Sequence, residues 1–111
     1  MKDLAMMIIV TEGIVAKENW PLLEQAYERL SQQTPPGLEQ SFLVHSLADE
    51  NLWQIVTVWS GMPALQQVQR SKEAGVMPRG ALIFQEAHAE TTHEVFEVVG
   101  QRVIPPKEGS A

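Results

Sequence analysis

Apolar residues fall into segments whose period switches between two and about 3.6, and the switches mark the elements. Ala5 to Val15 is dense in Met, Ile and Val, which predicts a strand. Asn19 offers a helix cap and Pro21 fits a first helical turn, where its missing N–H costs nothing. Leu23, Ala26, Tyr27 and Leu30 then recur on one helical stripe until Thr34-Pro35-Pro36-Gly37 stops it. Leu38 to Leu47 predicts a second strand, Ala48-Asp49-Glu50-Asn51 a hairpin turn, and Leu52 to Ser60 a third strand. Gly61-Met62-Pro63 opens a second helical pattern with Ala64, Leu65, Val68 and Ala74 for packing, broken or capped at Gly75. A short helix from Pro78 through Glu86 and a fourth strand from His93 to Val99 follow. Gln101-Arg102-Val103-Ile104 reads as an extended addition.

The order β-α-β-β-α-β is the split βαβ arrangement of ferredoxin-like α+β folds, with four antiparallel strands and helices on one side. The third strand, Trp53-Gln54-Ile55-Val56-Thr57-Val58-Trp59-Ser60, does not alternate cleanly between apolar and polar. Val56 and Val58 would share one face and Trp53, Ile55 and Trp59 the other. The first strand repeats this with Met6, Ile8 and Val10 opposite Met7 and Ile9, and the fourth with Phe96 and Val98 opposite Val95 and Val99. Helices protect one face only, so the other needs a cover. The segment after Val99 is short and polar, so the expected cover is a second copy of the sheet in a homodimer.

At 111 residues the chain predicts one domain, residues 1–104, with a loose tail at 105–111. It has no cysteine, hence no disulfide, thiol nucleophile or thiolate metal site, as suits a cytoplasmic protein. The early apolar run is broken by a glutamate and reads as a strand rather than a signal peptide. No segment approaches the roughly 20 apolar residues of a membrane span. The net charge is −6, without a Lys/Arg cluster, so neither nucleic acid nor a membrane is an expected partner.

The run IVTVWSGMPALQQVQRS resembles the third strand and second helix of antibiotic biosynthesis monooxygenase-like domains, in which a strand ending in Val-Trp precedes a short turn and a helix. TEGIVAKENWPLLEQAYERL is similar to their first strand and helix, and the resemblance spans roughly residues 5–99. It implies a dimeric α+β barrel of two sheets packed face to face, with an apolar ligand pocket between sheet and helices in each subunit. The activities it implies include cofactor-independent oxygenation of an aromatic or phenolic small molecule and haem degradation, and the same fold also serves isomerases, stress proteins and ligand sensors. The tryptophan used by the haem-degrading members matches Trp59, but their first-strand asparagine and helix histidine have no counterpart here. Haem degradation is therefore not expected, nor any other cofactor.

The candidate chemistry is sparse. His45, in the second strand, is the candidate general base, because histidine is the residue type that titrates near neutral pH. Trp59, Thr57, Thr11 and Arg70 are the candidate pocket residues, with Arg70 or Arg79 available to hold an acidic or phenolate ligand. His88 and His93 are five positions apart, which suits no helical metal pair, and no metal site is expected. A dimer that binds a small hydrophobic or aromatic ligand without turnover, or that merely assembles, is the competing reading.

Overall fold

The computed structural model describes residues 6–61 and 79–106. The expected second helix over Met62 to Gly75 lies outside them, as do the early tail residues beyond Pro106. The described elements are β1 (Met6–Ile14), a 3-10 turn (Lys17–Asn19), α1 (Trp20–Leu30), β2 (Leu38–His45), β3 (Leu52–Ser60), α2 (Arg79–Glu86) and β4 (Thr91–Glu97). The four strands form one antiparallel sheet in the order β2-β3-β1-β4. This is the ferredoxin-like α+β arrangement expected from the element order.

Strand register decides which residues share a face. Ile9 pairs with Thr57 and Val95, Thr11 with Ile55 and His93, and Gly13 with Trp53 and Thr91. On the far side of β3, Ser41, Leu43 and His45 pair with Thr57, Ile55 and Trp53. These odd-numbered positions form the face the helices cover. Along β3, Trp53, Ile55, Thr57 and Trp59 are all buried, whereas the residues between them are half-exposed.

α1 turns Leu23 and Ala26 into the core, with Tyr27 and Leu30 half-buried beside them, as the stripe predicts. Asn19 occupies the N-cap position but its side chain makes no capping bond. The preceding 3-10 turn, with the Asn19 N–H donating to Ala16 O at 2.8 Å, holds its backbone at φ −99° and ψ 1° rather than in the extended form typical of a capping residue. The helix entry is tied down instead by the Trp20 indole N–H, which donates to Val15 O at 2.9 Å.

α2 buries Ile83 and Phe84. Two glycines permit its approach to β1. A Cβ on Gly13 would lie 2.9 Å from the Phe84 ring, and one on Gly80 would lie 2.6 Å from Thr11 Oγ1. Phe84 thus lies directly on the β1 backbone, and α2 lies against Thr11. Arg29 and Glu86 form an exposed ion pair between α1 and α2.

Two boundaries differ from expectation. β2 stops at His45, because Ser46 turns the chain by accepting the N–H groups of Ala48 and Asp49, leaving Leu47 in solvent. β4 begins at Thr91 and ends at Glu97, which faces Met7 near the start of β1. The Val98 N–H still reaches Met6 O at 2.9 Å, and Val99 has no strand partner among the described residues. Gln101 to Ile104 takes no regular structure.

Candidate functional site

The helix-side face has two ends. At one, Thr11, Thr57 and Trp59 are buried together with Ile9, and Met7, Leu38 and Val95 pack around Ile9 and Trp59. Alternation places Thr57 and Trp59 on the same face of β3, and register sets Thr57 opposite Ile9. The Trp59 indole N–H donates to Thr57 Oγ1 at 2.8 Å, and the Thr57 hydroxyl donates to Ile9 O at 3.4 Å. The Trp59 indole and the Thr57 hydroxyl are thus both satisfied, as buried polar groups must be. Sequence reading named these three residues, and the structure brings them to one face.

At the other end, His45 stacks on Trp53 with ring centroids 3.9 Å apart and planes 8° from parallel. Trp20 meets His45 edge-on at 4.8 Å, and Lys17 Nζ lies 5.8 Å from the Trp20 ring centre. His45 Nε2 is 2.6 Å from Glu50 O, and since a carbonyl only accepts, that nitrogen is the donor. The Trp53 indole N–H is buried with no acceptor among the described residues. Neither Trp20 nor Trp53 was singled out as a site residue, because a tryptophan near an element's start reads equally as core. The only signal was their chain positions beside the ends of β1 and β2.

His45 pairs with Trp53, six residues from Trp59, so the two ends are about 20 Å apart along β3. The structure does not bring the candidate base beside Trp59 and Thr57. Arg70 lies outside the described residues, as does the side chain of Arg79. His88 lies in the turn after α2 and His93 on β4. Among the described residues no three His, Asp or Glu side chains are grouped to hold a metal, and no helix is long and apolar enough to cross a membrane.

The other face of the sheet carries Ile8, Val10, Val56, Val58, Phe42, Val44 and Phe96, by register. Phe42 is 47% exposed and Phe96 44%. Its polar corner holds Glu12, which accepts a hydrogen bond from Gln54 Nε2 at 2.8 Å, and borders a cleft of about 440 Å³. A second cleft, about 470 Å³, runs between α1 and β2, where the Tyr27 and Ser41 hydroxyls meet at 2.9 Å.

No family model matches the sequence, and no curated protein matches it significantly. Solved structures do match. A candidate antibiotic biosynthesis monooxygenase from Caulobacter crescentus superposes with a TM-score of 0.63 at 17% identity, over 86% of this chain and 92% of that one. A similarly described protein from Deinococcus radiodurans gives 0.65 at 14% identity, over 90% and 99%. SnoaB, a cofactor-independent oxygenase from Streptomyces nogalater, gives 0.54 at 16% identity, over 92% and 99%.

The chain has the antibiotic biosynthesis monooxygenase-like fold. At these identities the likeness is one of architecture, and it extends over nearly the whole length of each neighbour. The fold was legible from the Val58-Trp59 strand end and the order of the elements around it. Residue roles do not transfer with it.

Proposed function

We propose that this protein is a cytoplasmic homodimer that binds an aromatic or phenolic small molecule on the helix side of each sheet and oxygenates it without a cofactor. The observation that carries the reading is the buried, hydrogen-bonded pair of Thr57 and Trp59 beside Ile9, with the buried Thr11 on the same face, in a fold shared with a cofactor-independent oxygenase. An electron-rich substrate that loses a proton supplies the electrons itself. One atom of O₂ enters the substrate as a carbonyl oxygen and the other leaves as water. The proton ends in the water formed, and the protein's share is binding, orientation and exclusion of bulk water; His45, paired with Trp53 at the other end of the face, is not within reach of a substrate held beside Trp59.

The dimer follows from the open face. Four strands at about 4.8 Å spacing and eight residues at about 3.4 Å each give roughly 500 Å² of flat area per subunit. A face-to-face pair thus covers about 1,000 Å² before side-chain relief is counted, near the lower bound of a stable interface.

The second reading, a dimer that binds its ligand without turnover, is favoured by one observation. His45 stacks on Trp53 and bonds to Glu50 O, about 20 Å from Trp59 along β3, so it has a structural occupation away from the buried hydroxyls. Oxygen uptake with anthrone-type phenols separates the two. Uptake matching substrate loss, and reduced by Thr57→Val, is the expected result. Ligand-induced quenching of tryptophan fluorescence without uptake across several such phenols leaves binding alone. Neither signal removes both readings.

A further inference from the structure

We propose that Thr57 is a positioning residue for Trp59, and that Thr11, not Trp59, donates to the oxygen of the ligand. The proposal rests on the ligand-binding reading above and separates its three buried polar side chains by the hydrogen bonds each still has to offer. An indole has one donor and no acceptor, and a threonine hydroxyl has one donor. The Trp59 N–H donates to Thr57 Oγ1 at 2.8 Å, and the Thr57 hydroxyl donates in turn to Ile9 O at 3.4 Å. Both protons are therefore committed within the protein. What Trp59 offers a ligand is its ring, which favours an aromatic plane whether or not that plane carries a hydroxyl.

The indole is held in two ways. Met7, Leu38 and Val95 pack around Trp59 and Ile9, and the bond to Thr57 sets the rotation of the ring. Thr57 lies two residues before Trp59 on the same face of β3, so both ends of that bond come from one rigid strand. Valine at this position keeps the branched shape but removes the acceptor. A buried donor stranded in that way is costly enough to turn the ring toward another partner. Thr57 thus acts through Trp59 rather than on the ligand.

Thr11 takes no part in this chain of bonds. It is buried on the same face, opposite Ile55 and diagonal to Thr57, about 7–8 Å away. α2 meets it with Gly80, which has no side chain to bond it; a Cβ there would lie 2.6 Å from Thr11 Oγ1. The Trp53 N–H is also unpaired among the described residues, but it belongs to the His45 end, about 20 Å from Trp59 along β3. Ile9 lies opposite Thr57 and two residues before Thr11. A ligand lying over Ile9 therefore finds an aromatic wall on one side and a hydroxyl on the other.

A naphthol and naphthalene share a ring system and differ by one oxygen, and equilibrium dialysis gives their dissociation constants. The unmodified chain should bind the naphthol about tenfold more tightly. Thr11→Val should erase that margin and leave naphthalene within about twofold. Thr57→Val should weaken both ligands alike, by about three- to tenfold, and keep the margin, with Thr57→Ser restoring both. In the ligand-free protein the indole N–H resonance of Trp59, identified by its loss in Trp59→Phe, should shift and exchange faster with solvent in Thr57→Val and return in Thr57→Ser. A margin that survives Thr11→Val overturns the assignment of the oxygen. A margin erased by Thr57→Val or Trp59→Phe overturns the positioning role, because one of those groups would then be bonding to the ligand. An unmoved Trp59 resonance in Thr57→Val overturns it too. These three outcomes leave the ligand-binding reading standing. Failure of the unmodified chain to bind either probe overturns that reading and this inference together.

Discussion

The two faces of the sheet are built from similar residues and meet different fates. On the helix side, Trp53, Ile55 and Trp59 are buried beneath α1, α2 and their own neighbours. On the other side, Val56, Val58, Phe42 and Phe96 are equally apolar and stay partly in water. A strand facing solvent ordinarily spends those positions on polar residues. The difference shows that the sequence provides for two covers while one chain supplies helices for a single face. The sharpest way to break the covered side is Phe84→Ala. Phe84 is fully buried and rests on Gly13, where no Cβ intervenes. Deleting the ring removes its burial and leaves a cavity against the β1 backbone, which the strand cannot collapse to fill. A loss of about 3–5 kcal/mol is expected, read as a lower urea midpoint at unchanged slope.

Val56→Asp tests the open side. Val56 pairs with Val10 and Phe42 at the middle of that face. In a monomer the aspartate would stay hydrated and cost little. In the proposed dimer it would bury an unpaired charge in each subunit. Sedimentation should then show the dimer dissociation constant raised at least about hundredfold, roughly 3 kcal/mol, with strand content by circular dichroism retained. An unchanged mass would mean that something other than a second sheet lies on this face.

The fold was legible in the sequence because period and punctuation agree. Asp49-Glu50-Asn51 makes one turn, and the stripe of Leu23, Ala26 and Leu30 names its own buried side, while α1 stops at Leu30, ahead of the expected stop at Thr34-Pro35-Pro36-Gly37. The candidate site was legible only in part. Thr11, Thr57 and Trp59 sit at positions whose shared face depends on the β1–β3 register, and alternation alone does not say which face meets the helices. The Val-Trp end of β3 marked one of them. Nothing local marked the separation of His45 from Trp59, because it arises from hairpin pairing: the β2–β3 turn places His45 opposite the first tryptophan of β3 and not the second.

The smallest expected effect lies where α2 leaves the helix-side layer. His88 has φ 61°, in the left-handed region, and is the one non-glycine among the described residues with positive φ. The turn is a helix stop: the N–H of Ala89 returns to Phe84 O at 3.1 Å, and Ala89 packs on the core that includes Phe84. Histidine tolerates this conformation better than most residues, yet its Cβ still crowds the following carbonyl. Replacing it with glycine relieves about 1–2 kcal/mol of that strain. Glycine also loses more freedom on folding, which returns about 0.5–1 kcal/mol to the unfolded side. The balance favours His88→Gly by about 0.5–1 kcal/mol, a rise in melting temperature of about 2–5 °C. His88→Ala keeps the Cβ and should give no rise. If alanine and glycine stabilise equally, the strain is not in the backbone, and the stop owes its geometry to Ala89 docking alone.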